Sequence, residues 1–259
     1  MREPDDFDVS GLRVLVTGSS RGVGEGVAEY LASQGASIAL HGRDMKRLEA
    51  VRSRLSAKGA TAIVVTGDAR MADEVKEFVE AAASALGGLD GLINNAGGTF
   101  AAAATDMSPN AFASVVNANL TTAFSVAQAA FPFLEKTKGC VINISSVSAL
   151  RPSPEFSHYA AAKAGLISLT KSLAAEWGPR GVRVNAILPG LLGTESALGS
   201  LFRNDPERIK QAAEKIGVGR LGTPEDVAMA CRYLLSRGGS FVNGEALVVD
   251  GGPSNEQRF

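Results

Sequence analysis

The sequence predicts a single α/β domain, doubly wound, in which about seven parallel strands form one sheet with helices on both faces. Short runs rich in Val, Ile and Leu alternate along the chain with longer stretches of helical spacing. These short runs are apolar almost throughout, which is typical of strands buried on both faces of a parallel sheet. A chain of 259 residues with 45% apolar content suits one large domain.

Strand-like runs and helix-like stretches follow one another in order. The expected strands are RVLVTG (13–18), ASIALHG (36–42), ATAIVVTGD (60–68), LDGLINNAG (89–97), GCVINISS (139–146), GVRVNAILPG (181–190) and EALVVDGG (245–252). The expected helices are 23–34, 45–57, 72–86, 109–135, 157–177 and 224–236. Local signals support their ends: Gly35 suits a position just after a helix, Ser108 and Pro109 suit a helix start, and Gly178 suits a stop.

Two regions fall outside this alternation. Residues 191–222 follow the sixth strand and are rich in Gly, Ser and charge, with a short helix expected near 206–216. An insertion of this length is either a binding loop or a surface excursion, and we expect a substrate loop. Residues 1–10 are acidic and lack an apolar run, so we expect a flexible tail before a domain that spans 11–259.

The composition argues against several classes of partner. The formal net charge is −1, so no strong field attracts nucleic acid or an anionic membrane. No apolar stretch reaches the ~18 residues of a membrane span, and the N-terminus does not look like a secretion signal. We therefore expect a cytoplasmic protein that acts on a small molecule. Cys140 and Cys231 are expected as reduced core residues, and the sequence offers no ligand set for a metal.

A glycine-rich loop joins the first strand to the first helix. The segment VTGSSRGVGEG places Gly18, Gly22 and Gly24 in the spacing T-G-x-x-x-G-x-G. Glycine permits a positive φ in a tight turn and lets the backbone approach a pyrophosphate closely. The N–H groups at the start of the helix then point at the anion. The loop therefore predicts a dinucleotide site.

The end of the second strand indicates which dinucleotide is bound. NAD sites usually have an acidic residue here that holds the ribose 2′-hydroxyl, whereas this chain has Gly42 and Arg43. Arg43 and Arg21 can grip a 2′-phosphate together, so we favour NADP(H) over NAD(H). Asp44 is the counter-argument, because it either reaches the ribose or caps the next helix. Asp68, at the end of the third strand, either accepts a hydrogen bond from adenine or forms a local turn.

A phenol and an amine lie one helical turn apart in YAAAK. Tyr159 and Lys163 are at i and i+4, so they share one face of a helix. A nearby ammonium favours the phenolate, and lowering the pKa of tyrosine from ~10 towards neutrality takes about 4 kcal/mol. A tyrosine tuned in this way is suited to acid–base catalysis.

Other polar residues are expected beside this pair. Ser145 and Ser146 end the strand VINISS at the carboxyl edge of the sheet, where ligands bind in open α/β folds. One serine can hold a carbonyl oxygen against the phenol, while the other has a strand-end role. Asn117 and Asn119 lie two residues apart on the fourth helix, so at most one of them points into the site.

Together these segments resemble the classical short-chain dehydrogenase/reductase family from about residue 12 to residue 252. The matching motifs are TGSSRGVG (17–24), NNAG (94–97), VNANL (116–120), NISS (143–146), YAAAK (159–163), VNAILPG (184–190) and VDGG (249–252). The resemblance implies a Rossmann-type fold and a catalytic tetrad of Asn119, Ser146, Tyr159 and Lys163. In the family, the tyrosine transfers the proton and the serine positions the substrate oxygen. The lysine binds the nicotinamide ribose and lowers the tyrosine pKa, and the asparagine holds a water of the proton relay.

The resemblance also implies which residues bind the cofactor. They are Gly18, Ser20, Arg21, Gly22, Val23, Gly24, Arg43, Asp68, Ala69, Asn95, Ala96, Gly97, Tyr159, Lys163, Pro189, Gly190, Leu192 and Thr194. Thr194 is expected near the nicotinamide carboxamide. Further residues either touch substrate or merely form a rim: Phe100, Arg151, Glu155, Phe156, His158, Leu191, Leu192, Glu195 and Phe202.

The expected function is that of an NADP(H)-dependent oxidoreductase that interconverts a ketone and a secondary alcohol, as a homo-oligomer (tetramer or dimer). Two alternatives stay open. One is an NAD-dependent dehydrogenase of a sugar, polyol or steroid alcohol, and the other is a non-catalytic nucleotide-binding regulator on the same fold. The sequence does not choose the substrate, and a 3-oxoacyl thioester is one candidate.

Overall fold

Seven parallel strands form the sheet of the computed structural model, which describes residues 6–253. The strands are β1 (Arg13–Thr17), β2 (Ser37–Gly42), β3 (Ala62–Thr66), β4 (Gly91–Asn94), β5 (Cys140–Ile144), β6 (Arg183–Pro189) and β7 (Ala246–Val249). Their order across the sheet is β3-β2-β1-β4-β5-β6-β7. The order changes direction between β1 and β4, and ligands of such sheets bind at the carboxyl ends beside that point. The predicted parallel sheet is confirmed.

Helices cover both faces of the sheet. They are α1 (Gly22–Ser33), α2 (Met45–Ala57), α3 (Ala72–Leu86), α4 (Pro109–Val116), α5 (Thr122–Thr137), α6 (Ser157–Trp177), α7 (Glu195–Ser200), α8 (Pro206–Glu214) and α9 (Pro224–Leu235). One apolar core lies under α1, α2 and α9, and a second lies under α3, α5 and α6. Each fully buried Leu, Ile or Phe contributes roughly 1.5–3 kcal/mol. Two cores on opposite faces explain why the strands are apolar throughout.

The two cysteines belong to the first core. Cys140 on β5 and Cys231 on α9 are both free thiols and both buried. Burial raises the pKa of each thiol, which keeps both protonated at neutral pH. The prediction of reduced core cysteines is confirmed.

The helix predicted over 109–135 is interrupted. A π-helical segment, Asn117–Thr121, separates α4 from α5. Two side chains bond to backbone carbonyl groups at this junction: Asn119 Nδ2 donates to the Val115 oxygen at 2.9 Å, and Thr122 Oγ1 donates to the Asn117 oxygen at 2.9 Å. A π segment is a single wide turn inside a longer helical stretch, so periodicity read over 109–135 did not reveal it. Such segments occur frequently at functional sites.

The insertion 191–222 contains two helices and is closed at its base. The expected helix near 206–216 is α8, whereas α7 was not predicted. Leu192 pairs with Gly222 in a parallel bridge, with the Gly193 nitrogen donating to the Gly222 oxygen at 2.8 Å. Arg220 makes two 2.7 Å hydrogen bonds to Asp226 at the start of α9. The insertion is thus anchored at both ends to the carboxyl side of the sheet.

The N-terminal segment is packed where the structure describes it. Val9 is 1% exposed and belongs to the first core, and the Asp6 carboxylate pairs with Arg237. The Phe7 ring lies 6.0 Å from the Tyr233 ring on α9. Residues 6–10 of the expected flexible tail are therefore docked, because Val9 supplies an apolar anchor, and residues 1–5 lie outside the described part. No helix between residues 6 and 253 is long and apolar enough to cross a bilayer.

Candidate active site

A cavity of about 1030 Å³ opens at the carboxyl ends of β1 to β4. Most of the expected cofactor residues line it: Gly18, Ser20, Arg21, Gly22, Val23, Arg43, Asp68, Ala69, Asn95, Ala96, Gly97 and Thr194. The remaining expected residues do not line it: Gly24, Tyr159, Lys163, Pro189, Gly190 and Leu192. Leu192 is buried in the first core, and Gly190 packs against Asp250. The sequence motifs thus converge on one cavity, while six of the expected residues do not line it.

The glycine loop has the conformation that a pyrophosphate cradle needs. Gly18 and Gly22 have φ angles of +66° and +64°, a region that side chains disfavour. A Cβ on Gly24 would collide with Asn95 Nδ2 and lie 2.5 Å from the Gly18 oxygen. Nothing lies within 4 Å of a Cβ built on Gly22, so the cradle is open above the start of α1. The residues present therefore fit a dinucleotide.

The turn after β4 braces this loop. Asn95 Nδ2 donates to the Thr17 and Gly18 carbonyl oxygens at 3.0 and 3.2 Å. The Thr17 hydroxyl accepts hydrogen bonds from the Asn95 and Ala96 backbone nitrogens, each at 3.0 Å. The NNAG motif therefore holds β1 and β4 together at the floor of the cavity.

The adenosine end of the cavity is rich in arginine. Five arginines line it: Arg21, Arg43, Arg47, Arg54 and Arg70. The Arg43 side chain is 70% exposed, whereas the Arg54 guanidinium pairs with Glu25 and Glu29 on α1. The motif positions of Arg21 and Arg43 predicted their place here. Arg47, Arg54 and Arg70 were not predicted, because α2 and the turn before α3 carry no motif.

The two aspartates of this region have different roles. Asp44 accepts a hydrogen bond from the Arg47 nitrogen at 3.2 Å and caps α2, which agrees with the capping alternative. Asp68 accepts hydrogen bonds from the Arg70 guanidinium, with Nε at 2.9 and 3.1 Å from its two oxygens. These bonds lower the pKa of Asp68 to about 2. Asp68 is therefore ionised and paired.

A serine, a tyrosine and a lysine meet where β5 ends and α6 begins. Ser146 lies beside Tyr159 and lowers the pKa of its phenol, and the Lys163 ammonium lies 5.5 Å from the centre of the tyrosine ring. Lys163 Nζ donates to the Ile144 carbonyl oxygen at 2.8 Å. Ser145 Oγ donates to the Lys163 carbonyl oxygen at 2.9 Å, which ties β5 to α6. Ser146 thus faces the phenol, and Ser145 has the strand-end role.

Burial dominates the electrostatics of this group. It lowers the pKa of Lys163 to about 8, because a buried ammonium loses hydration. Burial also raises the pKa of Tyr159, and the neighbouring Ser146 opposes that rise. We expected a lowered pKa for Tyr159, and the net shift is upward instead, because burial outweighs the effect of its neighbours.

Asn119 lies in the π-helical segment beside the cavity floor. Its Nδ2 donates to the Gly98 oxygen at 2.7 Å as well as to Val115. Its Oδ1 is buried and has no hydrogen-bond partner among the described residues. A buried acceptor without a partner is costly and suits a bound water. Asn117 is exposed, so one of the two asparagines points inward, as the spacing required.

Two neighbouring glycines allow a direct check of this packing. A Cβ on Gly97 would collide with Asn119 Oδ1 and lie 3.3 Å from its Cγ, whereas a Cβ on Gly98 meets nothing within 4 Å. We expect Gly97→Ala to lower the unfolding free energy by roughly 1–3 kcal/mol and to lower activity, because Asn119 must move. Gly98→Ala is the matched control and should change both little. Chemical denaturation and turnover measure the difference, and equal effects of the two changes would contradict the proposed contact.

A wall of the site links the turn after β4 to the loop before α6. His158 is fully buried, its Nε2 lies 3.4 Å from the Thr99 hydroxyl, and its ring stands 4.8 Å from that of Phe100. The Ala102 nitrogen donates to the Glu155 oxygen at 2.9 Å. His158 is therefore an internal support and not a rim residue, while Phe100 lines the cavity.

Three other candidate substrate residues also have defined places. Arg151 pairs with Asp250 at 2.7 Å, which fastens the loop before α6 to the end of β7. Phe202 is 9% exposed, so its side chain is largely removed from solvent. Glu195 lines the cavity at the start of α7. Of these side chains, only that of Glu195 is presented to the cavity.

Known proteins are similar to this chain in sequence and in structure. The profile of the family described as Enoyl-(Acyl carrier protein) reductase matches residues 18–254. The chain belongs to the classical short-chain dehydrogenase/reductase family. It is therefore an oxidoreductase that acts on alcohol or ketone groups.

Relatives of this short-chain dehydrogenase/reductase cover nearly the whole chain. Gluconate 5-dehydrogenase of Gluconobacter oxydans is 36% identical over 253 residues, which are 97% of this chain and 98% of the relative. A solved 3-oxoacyl (acyl-carrier-protein) reductase of Agrobacterium tumefaciens, with NADP bound, has 34% identity and a TM-score of 0.89, covering 97% of this chain and 98% of that one. A 7α-hydroxysteroid dehydrogenase complexed with NADH and 7-oxo glycochenodeoxycholic acid has 30% identity and a TM-score of 0.91, covering 98% of each chain.

Proposed function

We propose that this enzyme interconverts a ketone and a secondary alcohol with NADP(H), and that Tyr159 is its acid–base group. The observation that carries the proposal is the grouping of Ser146, Tyr159 and Lys163 at the carboxyl end of β5. Ser146 lies beside Tyr159 and lowers the pKa of its phenol, and Lys163 lies one turn further along α6. A nicotinamide cofactor in the neighbouring cavity supplies or accepts the hydride.

Each side chain of the group has a distinct task. Ser146 holds the substrate oxygen by a hydrogen bond, in the place where Tyr159 can reach the same oxygen. Tyr159 donates a proton to that oxygen in reduction and accepts it in oxidation. The Lys163 ammonium favours the phenolate form that exists after donation. Asn119 keeps a buried acceptor, Oδ1, for a water through which a proton returns.

The cofactor preference rests on charge at the adenosine end. The end of β2 has no carboxylate that is free to hold a ribose 2′-hydroxyl, because Asp44 caps α2. Arg43 follows β2 directly and is well exposed, and Arg21 lies across the cavity in the glycine loop. Guanidinium groups in these places suit a 2′-phosphate. The relatives include complexes with NADP and with NADH, so NAD(H) is the alternative cofactor.

The cofactor assignment is tested by Arg43→Ala. We expect the KM for NADPH to rise about tenfold or more, because a charge-assisted bond to phosphate contributes ~1.5–3 kcal/mol. The KM for NADH should change less than about threefold. Arg52→Ala, on the neighbouring helix α2, is the control, because Arg52 pairs with Glu49 and does not line the cavity. Unchanged NADPH kinetics in Arg43→Ala would overturn the NADP assignment.

The substrate and the assembly are further parts of the proposal. The insertion 191–222 is proposed as the substrate loop, because its helix α7 brings Thr194 and Glu195 to the cavity. A screen of ketones, followed by the absorbance of reduced nicotinamide, identifies the substrate class. Large apolar side chains remain exposed at Phe112 on α4 and Phe124 on α5, which supports a homo-oligomer, dimer or tetramer. A cytoplasmic location is also proposed.

A further inference from the structure

Asp68 is shared unequally between two arginines at the adenosine end of the cavity. Arg70 donates from Nε to both carboxylate oxygens, at 2.9 and 3.1 Å, and a further contact joins its Nη2 to Oδ2. The Arg70 backbone nitrogen adds a hydrogen bond to Oδ1 at 3.0 Å. The nearest Arg43 nitrogen is 3.9 Å from Oδ2, at the outer limit of an ion pair. Arg70 therefore holds this carboxylate, and Arg43 only borders it.

The unequal sharing matters because a phosphate and a carboxylate compete for the same guanidinium. Without Arg70, the Asp68 carboxylate would have Arg43 as its remaining neighbouring cation. Arg43 would then be drawn into a closer pair with Asp68 and away from a phosphate. An unpaired Asp68 would also repel that phosphate, and repulsion near a partly buried carboxylate is screened incompletely. The Asp68 side chain is only 23% exposed, so it is such a partly buried carboxylate.

The other cavity arginines do not replace Arg70 in this task. Arg47 is 3.3 Å from Asp44, and Arg54 is held by Glu25 and Glu29 on α1. Among the ion pairs of the described chain, Asp68 is paired only with Arg43 and Arg70. The state of Arg43 therefore depends on whether Arg70 is present.

We infer that Arg70 is a positioning residue for cofactor choice: by holding Asp68 it leaves Arg43 available to the 2′-phosphate of NADP(H). The inference rests on the proposed NADP(H) preference and adds a residue to it. Arg70 acts through Asp68 and does not itself touch the phosphate. It follows that Arg70 becomes dispensable once the carboxylate charge of Asp68 is removed.

The test uses binding, without catalysis, of two probes to the full chain. Adenosine 2′,5′-bisphosphate carries the 2′-phosphate and AMP lacks it, and calorimetry measures the Kd of each. For Arg70→Gln we expect the bisphosphate Kd to rise about tenfold, which corresponds to ~1.4 kcal/mol, and the AMP Kd to change less than about threefold. With Asp68→Asn as the background, adding Arg70→Gln should change the bisphosphate Kd less than about threefold.

The possible results distinguish a failure of the role inferred for Arg70 from a failure of the proposed NADP(H) preference. Arg52→Gln removes a positive charge outside the cavity and should leave both Kd values unchanged. A tenfold loss in both backgrounds would show that Arg70 contacts the phosphate directly and would overturn the inference. A bisphosphate Kd that Arg70→Gln leaves unchanged would also overturn it, while the NADP(H) preference would stand. A wild-type protein that binds AMP as tightly as the bisphosphate would overturn the preference and the inference together.

Discussion

Replacing Tyr159 by phenylalanine is expected to lower the kcat of ketone reduction by about 10²–10⁴-fold, the usual contribution of a positioned proton donor. The change removes one oxygen and keeps the ring, so the packing of α6 against the end of β5 is retained. The affinity for NADPH should change little, because Tyr159 does not line the cavity that holds the cradle at Gly18 and Gly22. Steady-state turnover and cofactor titration together measure the two effects.

A second tyrosine-to-phenylalanine substitution, at Tyr233, is the control. Tyr233 lies on α9, where its ring stands 6.0 Å from that of Phe7. It does not line the cavity. Tyr233→Phe should leave kcat within about twofold of the unaltered enzyme, well below the catalytic effect. If Tyr159→Phe reduces ketones as fast as this control, the proton comes from another group. If neither protein turns over any ketone while both bind NADPH, the regulator alternative is favoured.

The fold followed from the sequence because its signals are local and repeated. Each β-rich run is short, apolar and bounded by glycine or proline, and each intervening stretch is long enough for a crossover helix. Parallel pairing then follows from the crossovers, as the registry of β1 with β2 and β4 illustrates. The π-helical segment was missed because it is one wide turn inside a longer helical stretch, and α7 was missed because six residues are too few to show a helical period. Val9 was missed because one apolar residue in an acidic stretch gives no periodicity.

The sequence predicted which residues form the candidate site, but it did not predict their pKa shifts and ion pairs. Glycine spacing, the strand-end serines and the Tyr–Lys pair are visible in the chain, since each depends on neighbours a few residues away. The pKa of Tyr159 depends instead on burial by elements that are distant in sequence. Its pKa is therefore raised, whereas the sequence led us to expect a lowered pKa. The pairing of Asp68 with Arg70 depends on a rotamer at a turn, and the support of Phe100 by His158 joins segments 58 residues apart (100 to 158). Sequence pattern does not encode such contacts.

Replacing Lys163 by methionine is expected to separate activity from stability. The ammonium is needed to stabilise the phenolate, so kcat/KM should fall about 10²–10⁴-fold, as for other members of an acid–base group. Burial lowers the pKa of Lys163 from 10.5 to about 8, so holding the charge at pH 7 costs the folded state about 3 kcal/mol. Methionine fills a similar space without charge, while the Ile144 carbonyl loses its donor at a cost of roughly 1–3 kcal/mol. The unfolding free energy at pH 7 should therefore be unchanged or higher in the variant.

The pH dependence of stability gives this prediction a second readout. As pH rises, the folded protein loses the Lys163 proton near pH 8, whereas the unfolded chain keeps it until about 10.5. The unfolded state binds more protons in that window, so the contribution of Lys163 to the unfolding free energy increases from pH 8 to 10.5. Lys163→Met should lack this increase, which denaturant titrations of both proteins at several pH values would reveal. A variant that is less stable by about 2 kcal/mol or more at pH 7 would show that the buried ammonium is a net stabilising group, which is incompatible with its desolvation being the dominant effect.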